Sequence, residues 1–161
     1  MRRFVATSLL VLSTACIPNA AAFLPREGRY IEQWDGEPER PFEVIGSGSQ
    51  RALMEGQQAL GTLRATDLGI VDADGKVTLP SNLVVGNHWV IAGREGNACV
   101  VERRVVAVSC DRVEIERVGV CDGKPVEERM LSVWVVGLGL VSDSFTGGRG
   151  RVVTRVQKSD R

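Results

Sequence analysis

The chain has 161 residues with twenty basic and twenty acidic side chains, so its total charge implies neither nucleic acid nor an acidic surface as partner. Aromatic residues make up only 5% of it and glycine is abundant, which favours strands and turns over a helical bundle. The length fits one domain with a core of useful size.

The first residues carry the layout of an export signal. Met1-Arg2-Arg3 is a positive start, Phe4 to Ile17 is a short apolar run, and Pro18-Asn19 breaks it. Ala20-Ala21-Ala22 then offers a small-residue cleavage site ahead of Phe23. The apolar run is too short for comfort as a permanent membrane helix. Residues 1–22 are therefore expected to be a signal peptide, and their loss leaves the remainder about two charges negative. Ser13-Thr14-Ala15-Cys16 resembles a bacterial lipobox, with Ser13 where an aliphatic residue is usual. Soluble export to the periplasm or beyond is the preferred expectation, and lipid anchoring to the envelope through Cys16 is the alternative.

Residues 23–41 are rich in proline, glycine and charge and read as an extended lead-in, with a short strand around Tyr30 to Trp34. Gly28-Arg29-Tyr30 resembles the Gly-X-Trp entry of lipocalin-type barrels, with tyrosine in place of the tryptophan. The globular domain is expected over 42–157, with 158–161 a polar tail. Phe42 to Ile45 reads as a strand that enters the turn Gly46-Ser47-Gly48-Ser49. The run from Ile45 to Leu53 resembles a segment of proteasome-type hydrolases, without their terminal threonine nucleophile. A strand, glycine-rich turn and helix would form a phosphate cradle, yet Arg51 stands where the dinucleotide fingerprint needs a small residue. Gln50 to Thr66 has Leu53, Leu60 and Leu63 at nearly helical spacing and is expected to be a helix, weakened by Gly56 and Gly61.

Leu68 to Leu79 alternates on either side of Asp72-Ala73-Asp74-Gly75, the chemistry of a hairpin turn. Asp-X-Asp-Gly also occurs in calcium loops, but Ile70 and Ser81 stand where further ligands would be required. From Asn82 to Val141 the chain is dominated by valine and broken by short turns, which predicts four consecutive antiparallel strands. Met130 to Val141, apolar on both faces, is expected to be the most buried of them. Ser142 to Gly150 reads as a loop, and Arg151 to Val156 as a closing strand.

Chemistry-bearing groups are sparse. The one histidine, His88, has no Gly-X-Ser-X-Gly nucleophile elbow to serve. The cysteines do not match zinc-ligand spacing, and Glu114 and Glu116 alternate with Val113 and Ile115 as a solvated face would. No catalytic residue, metal or cofactor is expected. Arg103-Arg104 and the loop containing Arg149 and Arg151 are the basic clusters, read as contacts for an anionic envelope surface or as a solvated edge that resists aggregation.

The expected architecture is mainly β, an antiparallel meander forming a sandwich or partly closed barrel, with one helix from the N-terminal half packed on it. The expected function is an exported, non-catalytic binding or structural module of the cell envelope. The alternatives are a lipocalin-like barrel holding a small apolar ligand, or a hydrolase using His88.

Cysteine arithmetic gives the sharpest expectation. Processing leaves Cys99, Cys110 and Cys121, an odd number, so at most one internal pair forms. Neighbouring cysteines separated by a whole strand lie roughly 36 Å apart at about 3.3 Å per residue, far beyond the ~7 Å that a bridge tolerates. Cys99 and Cys121 meet if the chain turns around Cys110. Pairing Val108 with Val113 puts those two cysteines on opposite faces unless one bulge intervenes. A Cys99–Cys121 bridge through a bulged hairpin is the expectation, with an unbridged hairpin as the alternative.

Overall fold

The computed structural model describes residues 18–92 and 99–156. Among the described residues, twelve antiparallel strands form one sheet. In chain order they are β1 (Gly28–Trp34), β2 (Arg40–Ile45), β3 (Gln50–Glu55), β4 (Gln58–Thr66), β5 (Gly69–Val71) and β6 (Val77–Pro80). The second half contributes β7 (His88–Ala92), β8 (Cys99–Val108), β9 (Arg112–Cys121), β10 (Lys124–Val135), β11 (Gly139–Phe145) and β12 (Gly150–Arg155). Sequential strands are neighbours within each half, and β1 pairs with β12 to join the halves. The sheet curls into a nearly closed barrel whose seam lies between β6 and β7. Two side chains stitch that seam: Trp89 Nε1 donates to the Val77 carbonyl at 3.0 Å, and Arg103 Nη1 donates to the Thr78 carbonyl at 3.1 Å. Outward positions such as Glu43, Glu102 and Arg104 are charged and exposed at mid-strand, unlike a lipid-facing band.

The helix expected over Gln50 to Thr66 is instead the β3–β4 hairpin. Gly56 adopts φ +58°, a left-handed turn conformation that ends β3 and reverses the chain. Leu53 and Leu63 both line the interior from adjacent strands, so their spacing reflects a hairpin with a bulge after Leu53. The single strand expected from Met130 to Val141 is also revised. It breaks at Gly137 (φ +71°) into β10 and β11, and β11 occupies part of the segment expected as a loop.

Asp72 anchors the β5–β6 turn by accepting hydrogen bonds from the Asp74 and Lys76 amides, an arrangement of one carboxylate with two backbone donors. In the β8–β9 hairpin Val108 pairs with Val113, and the register shifts at Val106 so that Val105 faces Ile115. The shift restores Cys99 to the position opposite Cys121, and the two form a disulfide. Cys110 sits exposed near the turn, outside that bridge.

One barrel end is filled. A 3-10 turn, Ala20–Phe23, is capped by Asn19, whose side chain accepts from the Ala21 amide. Phe23 and Ile70, Leu79, Val105 and Val113 are fully buried in the core at this end. Each contributes about 1.5–3 kcal/mol through removal of apolar surface from water. The turn is tied to the sheet by the Gly137 amide donating to the Ala22 carbonyl at 2.8 Å, and the Arg26 amide donating to the Gly137 carbonyl at 2.8 Å. Residues 23–41, read from sequence as a lead-in, thus carry both part of this plug and β1.

Candidate functional site

Barrel curvature leaves a pocket of about 420 Å³, partly open to solvent, above the plugged end. Its walls differ. Phe42 and Val44 on β2, Leu53 on β3, and Leu60 and Leu63 on β4 give an apolar side. The wall running from β8 through β12 to β1 presents Arg103, Arg117, Arg151 and Glu32. Leu60 and Arg40 are partly exposed at the end away from the plug, where Arg40 pairs with Glu55 on the adjacent strand β3. That pair is solvent-screened and contributes little to stability.

Alternation explains how the charges come to lie inside. Arg103 has the parity of fully buried Val105, and Arg117 has the parity of Ile115, so both point into the lumen with the core residues. They face one another directly in the β8–β9 register. Arg151 on β12 is neutralised: its Nη1 donates to Glu32 Oε1 at 2.7 Å, and its Nη2 donates to Asp143. Asp143 also accepts from the Ser132 hydroxyl at 2.6 Å, and the Arg151 guanidinium lies 5.2 Å from the Trp34 ring centroid.

Arg103 and Arg117 have no directly bonded carboxylate of this kind, although Asp143 attracts both and Asp72 attracts Arg103 from farther away. Among the described residues neither forms an ion pair, and the Nε of each is buried without an acceptor. Burial pushes the Arg103 guanidinium down to about 10, and the nearby positive charge of Arg117 adds to the fall. Burial likewise lowers Arg117. The unfolded chain therefore binds the Arg103 proton more tightly than the native barrel does. The resulting folding penalty is fully present below about pH 10 and fades only as pH rises above it. Arg103→Met is expected to raise stability by about 1–2 kcal/mol despite losing the Thr78 hydrogen bond. Thermal unfolding at pH 7 checks this, and the midpoint should rise by roughly 2–8 °C for a chain of this size.

Burial also raises the Tyr30 phenol above its ordinary value, so it remains a donor, bonded to the Arg26 carbonyl at 2.7 Å. Its ring stacks on Phe42 at 5.4 Å between centroids.

The residues singled out from sequence separate by face. Arg103 and Arg151 line the lumen, whereas Arg104 and Arg149 are exposed outside it. Cys16 lies outside the described residues. His88 is exposed on β7 opposite Arg104, and among the described residues no side chain hydrogen-bonds to its imidazole. Glu114 and Glu116 make outer ion pairs with Arg112 and Arg129. Among the described residues no cluster of histidine, cysteine or carboxylate side chains has the makings of a metal site. Sequence reasoning missed Arg117, Glu32 and Asp143. The available signal was a charged residue at the parity of buried neighbours on β9, β1 and β11.

No family model, curated protein or solved structure matches the chain.

Proposed function

We propose that this chain is an exported, non-catalytic binding protein whose barrel lumen holds a small molecule with an apolar body. The observation that carries the reading is the cavity itself. A volume of about 420 Å³ lies within the range of small-molecule sites, and a largely apolar lining with a few convergent polar groups is their usual composition. Export is supported by the positively charged and apolar start of the chain and by a disulfide suited to an oxidising compartment; processing upstream of Asn19, unlike cleavage after Ala22, keeps the barrel-end plug of Ala20 to Phe23 intact. The envelope-surface reading loses two of its four arginines to the interior, which favours a ligand inside the barrel over a partner outside it.

Binding of a neutral fluorescent dye such as N-phenyl-1-naphthylamine tests the lumen. Wild-type protein is expected to enhance its fluorescence saturably. Leu53→Trp, which fills the cavity from β3, should weaken binding by at least about tenfold, while Val152→Trp on the exposed face should not. Saturable binding that survives Leu53→Trp unchanged in a folded protein would place the dye elsewhere and defeat the reading.

A further inference from the structure

We propose that the lumen takes a monoanionic amphiphile, a medium-chain carboxylic acid, with its carboxylate between Arg103 and Arg117 and its chain along the apolar wall of β2 to β4. The proposal rests on the lumen-binding reading above and names the ligand class.

Charge is the first argument. The buried belt holds three guanidinium groups, Arg103, Arg117 and Arg151, against two carboxylates, Glu32 and Asp143. Both carboxylates are engaged by Arg151, so the remaining charge is concentrated on the Arg103–Arg117 side. Arg103 is partly offset by Asp72 and Asp143, and Arg117 by Asp143, so a single negative charge suits the pair better than the two of a phosphate monoester.

Placement is the second. Like charges directly opposite on neighbouring strands destabilise a sheet, and these two are also buried. Apolar side chains of similar volume would fill the same space with greater stability. Arg103 donates one hydrogen bond across the seam, to the Thr78 carbonyl, whereas among the described residues Arg117 makes no side-chain hydrogen bond. A carboxylate set between two planar guanidinium groups that line the lumen can accept hydrogen bonds from the terminal nitrogens of both.

Size is the third. At about 30 Å³ per water-sized group, the lumen accommodates roughly a dozen non-hydrogen atoms, which suits a single short chain. The apolar wall of Phe42, Val44, Leu53, Leu60 and Leu63 lies across the lumen from the arginines and continues to the mouth.

Displacement of N-phenyl-1-naphthylamine by decanoate, 1-decanol and decyl phosphate tests the proposal, with calorimetry of decanoate binding as a dye-independent readout. Wild-type protein is expected to bind decanoate at least about tenfold more tightly than decanol, because hydrogen bonds to a charged group outweigh neutral ones. Arg103→Met and Arg117→Met should each remove most of that preference while dye and decanol affinities persist. If a methionine variant does not fold by circular dichroism, Arg117→Gln supplies the same comparison. Equal binding of decanol and decanoate by the wild type, or tighter binding of decyl phosphate, would overturn the carboxylate assignment and leave the lumen reading standing. Failure of both dye binding and decanoate calorimetry would overturn the lumen reading itself.

Discussion

Phe23→Ala is expected to lower the unfolding free energy by about 3–5 kcal/mol, the largest single-site effect anticipated in this chain. Phe23 is fully buried against Ala20, Leu24 and the inner residues of both halves of the barrel. Its removal leaves a cavity that the sheet cannot close, because neighbouring side chains are held by the hydrogen-bonded register around them. Urea unfolding followed by tryptophan fluorescence measures the loss, since Trp134 shares the core cluster. A change under 1 kcal/mol would mean that residues 20–24 are not seated in the barrel end.

Opening the Cys99–Cys121 bridge, by reduction or by the double substitution Cys99→Ala and Cys121→Ala, should cost about 3 kcal/mol. The two cysteines are 22 residues apart, and the bridge restricts the unfolded chain by closing that loop. It also holds the far ends of β8 and β9 together, the two strands that present Arg103 and Arg117. The expected drop in thermal midpoint is roughly 6–12 °C. Non-reducing peptide mapping should recover the Cys99 and Cys121 peptides joined. A bridge containing Cys110 would overturn the β8–β9 register.

Much of the second half was legible because its signals are local. Valine alternation, short polar turns and the position of the cysteines define the β8–β9 hairpin, and the need for one bulge follows from parity alone. The bulge at Val106 meets that need. The β3–β4 hairpin was misread because a bulge after Leu53 interrupts the two-residue alternation. Two short strands joined by a tight turn then leave leucines at a spacing close to that of a helix. Arg103 next to Arg104 looks in sequence like one basic cluster, yet on a strand adjacent residues must face opposite ways. One enters the lumen and the other meets solvent. That split was available from alternation; the convergence with Arg117 depended on knowing the register. The pairing of Glu32 with Arg151 had no local signal, since 119 residues separate them.

That separation sets the order in which the molecule can assemble. Every neighbouring pair of strands except β1 with β12 is also adjacent in sequence, so each half can build from hairpins whose loops are short. The β1–β12 pairing closes nearly the whole chain at once and carries the heaviest entropic cost of any contact in the sheet. Until it forms, β1 and β12 are separate edges, and the interior has no continuous wall. The lumen is therefore a product of the contact with the longest loop, so a partly folded chain can have hairpins and a disulfide but no enclosed interior.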